Sequence, residues 1–125
     1  MKNSLFLLLL AAILFSTCKS KKKFPGFDSD GWKLDKNACE GKREGFFKAY
    51  PNLKAELKGV DDDDLTDIFG NPEKTFYYGR GRKDYVYFIT PGSQCGGKYA
   101  LEGKELVIEI DALGFVNIAT EQQGK

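Results

Sequence analysis

The stretch Thr75-Phe76-Tyr77-Tyr78-Gly79-Arg80-Gly81-Arg82-Lys83-Asp84-Tyr85-Val86-Tyr87-Phe88-Ile89-Thr90 decides the fold. Before Glu73 apolar residues recur at spacings of three and four; here they recur at two, and β-branched and aromatic types crowd in. That pattern predicts two strands, Thr75 to Arg80 and Tyr85 to Thr90, joined through the polar run Gly79 to Asp84. Alternation puts Tyr85, Tyr87 and Ile89 on one side, Val86 and Phe88 on the other. Both rows are apolar, so one aromatic row must face away from whatever covers the sheet. Tyr77, Tyr85 and Tyr87, or their neighbours if the register slips by one, are the candidate interaction face. Exposed tyrosines on a rigid sheet offer large contact area with few rotamers to lose.

Toward the C-terminus, Leu106, Ile108 and Ile110 alternate with Val107, Glu109 and Asp111 as a third strand. Ala112-Leu113-Gly114 turns the chain into a last extended piece, Phe115 to Thr120, and the polar residues 121–125 are expected to fray. A long loop, Pro91 to Gly103, carries Cys95. Toward the N-terminus, Gly59 to Pro72 reads as a short capped helix. Asp61 is the N-cap, Asp64 the third helical position, Val60 and Leu65 a hydrophobic staple, Gly70 the stop, and Pro72 prevents continuation. The aspartates Asp61 to Asp64 crowd the positive end of a helix dipole rather than spreading over a dozen residues as calcium ligands do. Earlier still, Ala38, Phe46, Ala49, Tyr50, Leu53 and Leu57 keep helical spacing. They predict a helix from Asn37 to Ala49 and a short one from Pro51 to Lys58, with Trp32 in a lead-in loop. The fold class expected is α+β: two N-terminal helices packed on a small antiparallel sheet of three to four strands.

The chain has 125 residues, with 19 basic against 18 acidic side chains and a net charge of +1. Five of the basic ones, Lys2, Lys19, Lys21, Lys22 and Lys23, lie ahead of Phe24, so the remainder is mildly acidic. No basic face suits nucleic acid. Residues 4–17 are uncharged and too few to cross ~30 Å of hydrocarbon as a helix. With Lys2 ahead of them and Leu14-Phe15-Ser16-Thr17-Cys18 behind, they resemble the signal and lipobox of bacterial lipoproteins. That resemblance implies cleavage before Cys18, a diacylglyceryl thioether on Cys18, and attachment to a membrane without crossing it. The division expected is residues 1–17 signal, 18–31 anchor and basic linker, 32–120 globular domain and 121–125 tail. Once Cys18 is committed to lipid, Cys39 and Cys95 are left as a pair in an oxidising compartment, and a disulfide is expected. A metal site would lack further ligands: the chain has no histidine and no C-x-x-C spacing.

Gly59 ahead of the capped helix, Ile68-Phe69-Gly70-Asn71-Pro72, the aromatic strand, Leu106-Val107-Ile108-Glu109-Ile110-Asp111 and Gly114-Phe115-Val116 together resemble the BamE (SmpA/OmlA) family of small outer-membrane lipoproteins. The resemblance covers about Lys58 to Ala119. It implies a helix-helix-strand-strand-strand fold shared with β-lactamase-inhibitor-like domains, and an outer-membrane location facing the periplasm. Trp32, Cys39 and Pro91-Gly92-Ser93-Gln94-Cys95 are also similar to a group of small Bacteroidetes lipoproteins. The Cys39/Cys95 pair and the longer first helical region depart from the BamE pattern, so fold transfers better than role.

Without histidine, acid–base chemistry would fall on carboxylates, lysine or tyrosine, and no acidic pair stands out. The reading is a non-catalytic, membrane-anchored protein-interaction or assembly module that needs no cofactor. The alternative is an inhibitor or binder of a periplasmic enzyme, since inhibitor-like domains use sheet faces for protein contacts.

Overall fold

The computed structural model describes residues 20–125, and Cys18 with its leader lies outside them. Four strands, β1 (Lys74–Tyr77), β2 (Lys83–Phe88), β3 (Lys104–Ile110) and β4 (Val116–Gln123), form one antiparallel sheet in sequence order. Among the described residues four α-helices precede it: α1 (Ser29–Leu34), α2 (Arg43–Ala49), α3 (Leu53–Glu56) and α4 (Asp62–Phe69). The class is therefore α+β, with more and shorter helices than the periodicity predicts.

Register explains which sheet face the helices cover. Tyr85 pairs with Ile108 and Tyr87 with Leu106, and Ile108 pairs with Ala119 on β4. These side chains share one face, and the apolar residues of the helices close over it. Trp32, Phe47, Leu53, Leu57, Leu65 and Phe69 join them in one buried cluster. A fully buried leucine or phenylalanine contributes roughly 1.5–3 kcal/mol relative to exposure, which is what holds such short helices in place. Trp32 stacks edge-on to Phe69, with ring centroids 5.4 Å apart, and Phe69 lies 5.1 Å from the Tyr87 ring.

Several expectations need correction. Trp32 sits in α1 rather than in a loop, and is fully buried. The helix expected from Asn37 to Ala49 is broken: residues 36–38 form a 3₁₀ turn, and Asn37, Ala38 and Gly41 have positive φ of 56°, 58° and 73°. The buried Asp35 carboxylate holds this reversal by accepting from the N–H groups of Glu40, Lys42 and Arg43. Apolar periodicity cannot register such a side-chain-to-backbone cap. The folded part also begins earlier than Trp32, since Phe24 and Phe27 are 6% and 8% exposed within the core. At the other end β4 runs to Gln123, into the segment expected to fray, because Glu121, Gln122 and Gln123 pair with Leu106, Glu105 and Lys104. Ladder bonds are made by the backbone and do not require apolar side chains.

The capped helix behaves as its sequence predicts. Asp61 accepts from the Asp64 N–H at 2.8 Å, and Gly70 ends α4 at φ 80°. Residues 59–61 continue as a lip along β4: Gly59 N–H donates to Val116 O, and Val116 N–H donates back to Val60 O. Cys39 and Cys95 are disulfide-bonded with Cα atoms 5.5 Å apart, tying the long β2–β3 loop to the turn before α2. Among the described residues no helix is long and apolar enough to cross a membrane.

Candidate interaction surface

Among the described residues no helix lies over the second face of the sheet, and its composition follows from the pairing. One row runs across all four strands as Phe76, Asp84, Glu109 and Ile118; the next runs Lys74, Val86, Val107 and Thr120. Phe76 is 51% exposed and Ile118 47%. With strands about 4.8 Å apart, their backbones stand roughly 14 Å from each other, with two carboxylates between them. Tyr78, half exposed, donates from its hydroxyl to Asp84 at 3.0 Å. That hydrogen bond, with the carboxylate's charge behind it, raises the phenol above its ordinary value, since both favour the protonated form.

The far end of the face is closed rather than open. Lys74 Nζ reaches Glu105 Oε1 at 2.6 Å and lies 5.0 Å from the Phe88 ring centroid. Gly124 N–H donates to Gly103 O, bringing the chain end beside Glu105, which is 4% exposed. Val86 is buried although it faces away from the helices. Between these side chains lies a shallow concavity of about 350 Å³, lined by Phe76, Tyr78, Val86 and Val107 with Glu105 and Glu109.

The predicted tyrosine row is corrected by this geometry. Tyr77, Tyr85 and Tyr87 do share one face, but it is the face beneath the helices. Tyr87 is fully buried and donates to Gly70 O at 3.0 Å; Tyr85 is half-buried against the core; Tyr77, 79% exposed, projects beyond the helices at the end of β1. Burial pushes the Tyr87 phenol well above its ordinary value. The open face instead carries Phe76, Tyr78 and Ile118. The third strand held the signal: its clean face, Leu106, Ile108 and Ile110, must be the covered one, and antiparallel pairing sets Tyr85 and Tyr87 beside it.

Sequence reasoning also missed a buried ionic knot. Arg43 is 3% exposed; its Nη1 donates to Glu73 Oε1 at 2.7 Å and to Phe88 O at 3.1 Å, and its Nε donates to Trp32 O at 3.1 Å. Glu73 Oε2 accepts from Phe88 N–H. Nε and Nη1 of Arg43 and both carboxylate oxygens of Glu73 have protein partners within the fold, so the knot joins α1, α2 and β2. Its spacing signal was present: Arg43 lies four residues before Phe47, on the apolar stripe of α2.

Two aspartates at the start of α4 are likewise engaged structurally, Asp61 as cap and Asp62 in a 2.5 Å ion pair with Lys83. Among the described residues no three acidic or cysteine side chains converge as a metal-holding group. No family model, curated protein or solved structure matches this chain.

Proposed function

We propose that the chain is a non-catalytic interaction module of the bacterial cell envelope, held by lipid on Cys18 at the outer membrane and facing the periplasm. Its working surface is the uncovered sheet face. The observation that carries this reading is the row Phe76, Asp84, Glu109 and Ile118, in which two exposed apolar side chains flank two carboxylates. A protein partner that seats a basic side chain between two apolar ones complements it in shape and charge. The lipobox-like run ending at Cys18 supports the anchor, and the Cys39–Cys95 bond fits an oxidising compartment. The likeness of Lys58 to Ala119 to BamE-type lipoproteins agrees with an assembly or docking role at a membrane complex.

The test is capture from detergent-solubilised membranes with the tagged chain. Wild type and Leu101→Ala, altered at an 80% exposed side chain away from the face, should recover the same membrane complex. Phe76→Ala combined with Ile118→Ala should lose it by roughly tenfold or more, as anchor residues of an interface do. Undiminished recovery by the double variant refutes the reading. Recovery of one soluble periplasmic enzyme in place of a membrane complex would favour an inhibitor instead.

A further inference from the structure

We infer that the end of the domain formed by the two hairpin tips and the basic tether rests on the lipid surface, which fixes the domain's orientation. The inference builds on the lipid anchor proposed above. The tether is part of the fold, not a free spacer: Lys21 Nζ is 2.6 Å from Asp67 Oδ2, the Lys22 N–H donates to Asp64, and Phe24 is buried. Ser20 lines one concavity with Lys58 and Phe115. Cys18 is two residues upstream of Ser20, and two residues reach at most about 7 Å. A lipid on Cys18 therefore enters the bilayer beside this end of the molecule and no other.

What this end presents suits a membrane interface. Leu113, at the β3–β4 tip, is 81% exposed, and Phe115 beside it is 43% exposed. The β1–β2 tip packs against the same turn: a Cβ added at Gly81 would lie 3.7 Å from Ala112. That second tip brings the exposed Arg80 and Arg82, which join Lys22, Lys23 and Lys58. Among the described residues none of these five cations is in an ion pair. The neighbouring aspartates are largely committed: Asp62 to Lys83, Asp67 to Lys21, and Asp111 to the N–H groups of Leu113 and Phe115. Asp61, Asp63 and Asp64 also stand at the start of α4, so this end carries both signs, with Lys22 and Lys23 on the tether and Arg80 and Arg82 on the β1–β2 tip as its exposed cations. Apolar tips ringed by lysine and arginine bind phosphate headgroups with their charges and the acyl boundary with their side chains.

The long loop between β2 and β3 lies at the other end of the sheet, so Leu101, 80% exposed, is an internal control matched for exposure. The experiment places one reporter at each end of the full chain, purified with its native N-terminus and reconstituted in phosphatidylcholine–phosphatidylserine vesicles with brominated acyl chains. Trp32, fully buried, supplies a common background emission. Leu113→Trp should lose at least half of its added emission to bromine quenching, with Phe115→Trp as a second reporter, while Leu101→Trp should be unaffected. Equal quenching at both ends, stronger quenching at Leu101→Trp, or none at either Leu113→Trp or Phe115→Trp overturns the orientation. The mass of the N-terminal peptide, read on the same samples, separates the two claims. An acylated chain with an unquenched tip refutes the orientation alone, and an unacylated chain refutes the anchor together with the orientation built on it.

Discussion

Replacing Arg43 by methionine keeps most of the side chain's length and apolar stem but removes the guanidinium from the knot beneath α1 and α2. The structure sets the cost. Glu73, whose side chain is 11% exposed, loses the cation 2.7 Å away; the carbonyls of Trp32 and Phe88 lose donors at 3.1 Å; and Trp32 loses a cation 4.7 Å from its ring. Hydrogen bonds to charged groups are worth about 1.5–3 kcal/mol each, but contributions within one network do not add. Stranding one partner of a buried ion pair is the better guide, and it sets the expected loss at about 3–5 kcal/mol. For a domain whose total stability is of order 5–15 kcal/mol, that is a large share. Urea unfolding of Arg43→Met should show this loss with an unchanged slope. Adding Glu73→Gln should recover roughly 1–2 kcal/mol, because the amide still accepts from Phe88 N–H but carries no stranded charge. Lys48→Met, which removes a cation from an exposed pair with Glu44, should change stability by no more than about 0.5 kcal/mol. If Arg43→Met costs under about 1 kcal/mol, or if Glu73→Gln deepens its loss, the knot does not hold the elements together as argued.

Three further outcomes follow from other parts of the fold. Cys95→Ala should lower stability by about 2–5 kcal/mol, since a bridge with a sequence separation of 56 contributes roughly 4 kcal/mol on the chain-entropy model; non-reducing peptide mapping and urea titration check both parts. Asp61→Ala should cost about 1 kcal/mol through the lost cap, whereas Asp63→Ala, with no capping bond, should cost a few tenths; equal effects in thermal melts would contradict the assignment. Tyr87 has its folded value raised by burial, so its contribution is constant below the unfolded phenol value near 10 and is lost as pH rises beyond it. Stability should therefore fall by about 1.4 kcal/mol per pH unit above 10 on account of this group, and Tyr87→Phe should show a slope shallower by that amount. An identical alkaline slope in the variant would mean that Tyr87 is not buried in the fold.

How much was legible depended on which interaction fixed each element. The presence of the strands and the α4 boundaries are local, written in alternation and in a cap with its staple: Asp61, Gly70 and the Leu106–Ile110 strand sit where the sequence puts them, whereas β1 stops at Tyr77 before a 3₁₀ turn at Gly79–Gly81 and β2 already starts at Lys83. The break at Asn37 and Ala38 was not legible, because its cause is the Asp35 carboxylate gathering three N–H groups five to eight residues downstream. The choice of open face failed for a related reason. Both rows of β2 are apolar, so β2 alone cannot say which is covered; only its pairing with Leu106 and Ile108 does. The burial of Arg43 went unread because charge usually marks exposure and its partners lie 11, 30 and 45 residues away.

The central claim, a tethered module working from a membrane surface, is tested most directly by the mass of the mature N-terminus isolated from the native envelope. The mature chain should begin at Cys18 and carry a diacylglyceryl thioether with an acylated amine. A chain that retains Met1 to Thr17, or one that ends in an unmodified residue beyond Cys18, would contradict it.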